Sequence, residues 1–154
     1  MADEMALLVA DLYEVVGLLR HRGEEIAGGE GQTQARWQLL SVVSETPLTV
    51  PSAARRLGIT RQAVQRVAND LVREDLAIFR PNRDHRTSPL LELTAHGQDV
   101  LARITARFRD VERGFIEGIE PSALVGARDV IRRLNARLRD QVSAAPEARG
   151  ERRV

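Results

Sequence analysis

From Asp3 to about Ile26, Met5, Leu8, Leu12, Val15 and Leu19 recur at steps of three and four, which predicts an amphipathic helix. Leu7, Val16 and Leu18 widen its apolar surface beyond one stripe, so two partners are expected to cover it, its own domain and a second subunit. AGGEG (27–31) breaks that helix. QTQARWQLLSVVSE, with Trp37, Leu39, Leu40 and Val43, predicts a second helix that leads through Thr46 and Pro47 into a short one, PSAARRL. For the short helix Thr49 is the expected N-cap, and Pro51 sits in the first turn, where a missing N–H costs least. Gly58 then supplies a left-handed exit. Thr60 caps a further helix, RQAVQRVANDLVRED, whose Val64, Val67, Leu71 and Val72 form its buried stripe.

After Leu76 the run AIFR reads as a strand, RPNRDHRTSP as a turn-rich tip, and LLELT as a returning strand with Leu91 and Leu93 on one face. Thr94 caps a long helix, AHGQDVLARITARFRDVERGFIEGI, striped by Leu101, Ile104, Phe108, Val111, Phe115 and Ile119. Pro121 and Ser122 open the last helix, striped by Leu124, Ala127, Ile131, Leu134 and Leu138. The two join at a turn near Glu120 into a helical hairpin longer than the core requires, and with the first helix it is expected to form a dimer interface. The alternative is a monomer whose extra helices enlarge a single core. The tail SAAPEARGERRV is polar and expected to fray.

The polar side of RQAVQRVANDLVRED carries the chemistry. Arg61, Gln62, Gln65, Arg66 and Asn69 lie opposite the stripe, in the first part of the helix. Arg matches guanine O6 and N7 with two parallel hydrogen bonds, and Gln or Asn matches adenine N6 and N7. A helix that buries one side and offers such groups near its N-terminus suits the second helix of a helix-turn-helix. The plain alternative is a solvated polar face. The following hairpin favours the first reading, because Arg80, Arg83 and Arg86 sit on or beside its tip. Such a charged loop suits a narrow minor groove, where negative potential concentrates. Arg83 and Arg86 are the groove candidates, with Asp84 placed to orient Arg86 through a bidentate pair. Arg55, Arg56 and Thr60 are expected to reach phosphates. The fold class is therefore mainly α with a small β-hairpin. A winged helix-turn-helix region (32–94) is flanked by dimerisation helices (1–28 and 95–145), in one domain over 1–154 with a flexible tail at 146–154.

Charge supports this placement. The formal net charge is only +1, yet residues 1–54 balance to −5, residues 55–90 to +4 and residues 91–154 to +2. Clustered charge steers binding where net charge does not. With 154 residues and 43% apolar composition, the chain can bury its own core. It has no Cys, which excludes disulfides, thiol redox switches and thiolate metal sites. No run approaches the roughly 20 apolar residues of a membrane span. MADEMALL is acidic where a signal peptide would be basic, so a soluble, cytoplasmic protein is expected.

The order of these elements resembles the MarR family of winged-helix transcription regulators. The most specific parts are SAARRLGITRQAVQRVANDLVRE and RPNRDHRTSPLLELTAHG, where Asp84-x-Arg86 followed by LxLT is similar to the family's acidic-x-Arg element. The resemblance implies a homodimer on a palindromic double-stranded DNA operator, most often a repressor, and in many members release by a small aromatic or phenolic effector. Two departures stand out. Ser88-Pro89 lengthens the return by one residue, so Arg86 is the preferred groove residue with Arg83 in reserve. Asp75 stands where a Gly is common at the helix exit, and Asp tolerates the left-handed conformation better than most residues.

Other chemistries find no support. His21, His85 and His96 lack the spacing to carboxylates of a metal site, and GGEG lacks the Lys and preceding strand of a phosphate loop. No Ser has the setting of a hydrolase nucleophile, so neither an enzyme nor a cofactor is expected. Tyr13, Trp37 and Phe115 fall on helices that would border an effector pocket, and they suit an ordinary core equally well. The rival readings are a winged-helix regulator without a small-molecule switch and a winged-helix protein-interaction module.

Overall fold

The computed structural model of the chain describes residues 2–144. Among them, helices α1 (Ala2–Gly28), α2 (Gln34–Glu45), α3 (Val50–Leu57), α4 (Arg61–Arg73), α5 (Ala95–Ile116) and α6 (Pro121–Ala144) accompany strands β1 (Leu48–Thr49), β2 (Ala77–Arg80) and β3 (Leu90–Leu93). The chain divides into two compact units at Glu112–Arg113. No helix among the described residues is long and apolar enough to cross a membrane.

In the first unit the caps form as the sequence dictates. Thr33, Thr49 and Thr60 accept the N–H groups of Arg36, Ser52 and Ala63, which satisfies one orphan donor at the start of each of α2, α3 and α4. Gly58 leaves α3 in the left-handed region at φ 67°. Asp75 leaves α4 at φ 57°, with Leu76 N–H donating to Leu71 O at 2.8 Å and Asp75 N–H to Val72 O at 3.1 Å. These are the two bonds of a Schellman stop, made here on an Asp as the sequence allowed.

The sheet is antiparallel in the order β1-β3-β2. Ala77 pairs with Leu93 and Arg80 with Leu90, while Leu48 and Thr49 face Leu91 and Leu90. The third strand, β1, was not expected; two residues are too short to carry an alternating pattern. Leu91 and Leu93 do point into the core, where they meet Leu39, Leu40, Val64, Leu71, Leu76 and Ile104. Each fully buried Val or Leu there contributes about 1.5–3 kcal/mol.

Several boundaries and faces differ from expectation. The buried line of α4 is Val64, Ala68 and Leu71, and Val67 and Val72 are only half-buried; α2, α3 and β2 are the elements that pack on this helix. The helix stops at Arg73, two residues early. α5 stops at Ile116 rather than Ile119, since Gly118 turns the chain at φ 79°. In α1 only the last turns are covered: Gly23, Ile26 and Ala27 are buried, whereas Met5, Leu7, Val15, Val16, Leu18 and Leu19 are exposed. Leu8 and Leu12 are half-buried, so among the described residues of the first unit that stretch of α1 is only partly covered. In the second unit, Leu124, Val125, Ile131 and Leu138 of α6 are likewise exposed. The tail beyond Ala144 lies outside the described residues.

One close approach fixes the start of α5. Thr94 accepts Gly97 N–H on Oγ1 at 2.9 Å and donates the same hydroxyl to Asp75 O at 2.7 Å. This draws Gly97 so near Leu76 that a Cβ there would overlap the Leu76 carbonyl. Gly97→Ala is therefore expected to destabilise the protein by about 1–3 kcal/mol, as overpacking does. Chemical denaturation measures it, and an unchanged midpoint would contradict this packing.

Ion pairs lace the unit together. Arg36 grips Glu74 with both guanidinium nitrogens, at 2.5 and 2.8 Å, and also donates to Gln32. Arg103 and Arg107 of α5 share Glu30, at 2.8 and 2.6 Å, in the loop after α1. The hydrogen bond from Arg36 holds the Glu74 carboxyl below its ordinary value of 4.5. A carboxylate with a lowered folded pKa contributes stability above its unfolded pKa and loses it as pH falls through the folded one. The stability difference between wild type and Glu74→Gln should thus be constant above pH 4.5 and shrink below it. Denaturation midpoints at a series of pH values read this directly; a gap that widens in acid would refute it.

Candidate nucleic-acid interface

The stripe of α4 decides which way its polar side faces. With Val64, Ala68 and Leu71 turned inward, Arg61, Gln62, Gln65, Arg66 and Asn69 are all exposed on the opposite side. α3 crosses behind, packed on α4, and carries Arg55 and Arg56 exposed at its C-terminal end. The hairpin of β2 and β3 projects its tip (81–89) from the same unit, with Arg83, Asp84, His85, Arg86 and Thr87 exposed.

Between the first turn of α4, the start of α3 and the base of the hairpin lies a cleft of about 540 Å³. Arg61, Gln62 and Gln65 line it from α4, Val50 and Pro51 from α3, and Phe79, Thr87, Ser88 and Pro89 from the hairpin. The structure thereby brings the two arginine-bearing elements to the two sides of one groove. Phe79, Thr87, Ser88 and Pro89 were not among the site residues expected from the sequence, where Ser88-Pro89 counted only as a lengthening of the return. Their shared location depends on the β2–β3 register, to which a single-residue pattern is blind.

The arginines of residues 31–94 sort into two groups. Arg36, Arg56, Arg73 and Arg80 are paired with Glu74, Glu45, Asp70 and Glu92. Arg61, Arg66, Arg83 and Arg86 have no carboxylate partner within 4 Å among the described residues, and Arg55 donates only to Ser52 Oγ at 3.0 Å. The four unpaired guanidinium groups all lie on α4 or the hairpin tip.

Individual expectations fare differently. Arg56 is engaged by Glu45, so a phosphate would have to compete for it. Thr60 already accepts Ala63 N–H and keeps only its hydroxyl proton free. Gln65 donates to Asn69 Oδ1 at 2.9 Å, leaving part of its amide for another partner. The bidentate pair expected between Asp84 and Arg86 is not formed. An exposed ion pair two residues apart gains less than about 1 kcal/mol and must immobilise a long side chain. Instead Asn82 organises the tip: its Oδ1 accepts Asp84 N–H at 3.1 Å and its Nδ2 donates to Ser88 O at 3.0 Å. A turn from His85 to Ser88 completes it, with Ser88 N–H donating to His85 O at 3.1 Å.

The three aromatic residues expected near an effector sit in different surroundings. Tyr13 is 78% exposed on α1, while Trp37 is buried against Phe108, with ring centroids 5.4 Å apart. Phe115 belongs to the second unit and is exposed. A cleft of about 470 Å³ in the first unit is lined instead by Val16, Leu19 and Arg20 of α1, Gln34, Ala35 and Gln38 of α2, and Leu57 and Ile59.

Comparisons with known proteins agree with this geometry. Residues 31–86 match the family model described as MarR family. An uncharacterized protein of Mycobacterium tuberculosis is 60% identical over 134 residues, covering 87% of this chain and 94% of that protein. The crystal structure of the transcriptional regulator BldR from Sulfolobus solfataricus superposes with a TM-score of 0.76 at 18% identity, over 86% of this chain and 97% of that one. NadR, solved in complex with 4-hydroxyphenylacetate, gives 0.75 at 16% identity, over 82% and 90%. Residues 31–86 are thus a MarR-family segment, and the chain shares its fold with solved transcriptional regulators.

Proposed function

We propose that the protein is a homodimeric repressor that reads a palindromic operator, and that a small aromatic or phenolic molecule releases it. The observation that carries the DNA reading is the partition of arginines: Arg36, Arg56, Arg73 and Arg80 are neutralised by carboxylates, and Arg61, Arg66, Arg83 and Arg86, on the first half of α4 and the wing tip, are left for phosphates and base edges. Arg61, Gln62, Gln65 and Arg66 read the major groove. Arg83 and Arg86 work the adjacent minor groove. One sugar–phosphate strand separates those grooves, and the cleft between α4 and the hairpin is its seat, with the Thr87 and Ser88 hydroxyls beside it. Arg55, Arg56 and Thr60 add phosphate contacts at the flank.

Pairing of two copies is supported by the uncovered apolar residues of α1 and α6, which a soluble chain rarely leaves exposed. Two copies would set their reading helices on half-sites about 34 Å apart. The effector reading is supported by the cleft that joins α1 and α2 to the end of α3, and by NadR, whose structure holds a phenolic carboxylate. In that cleft Val16, Leu19 and Leu57 offer apolar contact, and Arg20 offers a cation for an acidic group.

Selection of bound duplexes from a random-sequence pool should return a palindrome; enrichment of no sequence would sink the operator reading. Arg66→Ala and Arg86→Ala should each cost about 1–3 kcal/mol in binding to the enriched duplex, read by fluorescence anisotropy. Both side chains are exposed and unpaired, so stability should stay within about 0.5 kcal/mol of wild type. For the effector, 4-hydroxyphenylacetate and related phenols should raise the melting temperature and weaken DNA binding together, because a ligand of the native state must stabilise it. A panel of such compounds that shifts neither quantity would leave a regulator without this switch.

A further inference from the structure

Resting on that reading of the wing, we infer that Asn82 is a positioning residue, which sets the paths of Arg83 and Arg86 into the minor groove without touching DNA itself. Between Pro81 and Pro89 only Asn82 and Ser88 are half-buried; the seven residues around them are exposed. The Asn82 amide spans the loop. It accepts Asp84 N–H on one side and donates to Ser88 O on the other, so it binds both ends of the segment that carries Arg83 and Arg86. A carboxamide is suited to this task, since it offers an acceptor and a donor on one rigid plane. The first bond is the local turn that Asn and Asp make with the backbone two residues on. The second closes a loop of seven residues, from 82 to 88, around the tip.

The physical effect is on entropy. Without the two bonds the tip samples many conformations, and both guanidinium groups must be ordered at the moment of binding. Fixing rotamer-rich side chains in advance removes that cost from association. The expected pair between Asp84 and Arg86 cannot substitute, because it is not formed. The loop's extra length in Ser88-Pro89 makes the tie useful, since Ser88 is the residue that Asn82 holds.

The test is a double-mutant cycle on the duplex enriched from a random-sequence pool by the wild-type protein, read by fluorescence anisotropy across a salt series. Asn82→Ala is expected to weaken binding by about threefold to tenfold. Its salt slope should match wild type, whereas Arg86→Ala should reduce the slope by about one. In the Arg83→Ala/Arg86→Ala background the further change Asn82→Ala should have less than about a twofold effect. The melting temperature should be unchanged in all variants, since the tip adds little to the core. Wild-type affinity for Asn82→Ala, a full loss persisting in the arginine-less background, or a reduced salt slope overturns the inference while leaving the wing reading intact. Wild-type affinity for the double arginine variant overturns both.

Discussion

Burial of three side chains on one flank of α4 is the constraint on which the rest depends. Val64, Ala68 and Leu71 are spaced so that they share a face, and α2, α3 and β2 close over them. Successive helical residues are rotated by about 100°, so this burial fixes the azimuth of every other residue on the helix. Arg61, Gln62, Gln65 and Arg66 face solvent because nothing else is compatible with that packing.

The second organising feature is how charge is spent. Glu30, Glu45, Glu74 and Glu92 each take one or two arginines, and each pair bridges segments distant in the chain or adjacent strands. Such exposed pairs are individually worth little. Their consequence is mainly one of selection: they neutralise arginines on the body of the domain and leave a positive field on the helix and the tip. A chain with a net charge of +1 thereby presents a cationic surface where a polyanion would dock.

Apolar residues follow a similar division. The winged-helix portion buries its leucines in one cluster, while α1 and α6 keep many of theirs in solvent. Within each described unit these side chains stay exposed. Exposed apolar surface of this kind marks an interaction site rather than an ordinary solvated face.

Much of this was legible in the residues. Thr49, Gly58 and Thr60 act within one turn of themselves, so cap, exit and cap were readable from their types and spacing, as was the left-handed Asp75. The hairpin strands and the solvent-facing reading residues followed from alternation and from helical period. Local rules of that kind determine the elements and which side of α4 is polar. Tertiary structure alone decided the rest. It put Ala68 rather than Val72 in the core, and it added β1, whose Leu48 pairs with Leu91. It set Trp37 against Phe108, from a helix some seventy residues away, and left Tyr13 exposed. It also replaced an expected Asp84–Arg86 pair by Asn82, whose two bonds require the ends of the loop to be held together by the strands. A contact that depends on where distant segments meet has no signature in either segment read alone.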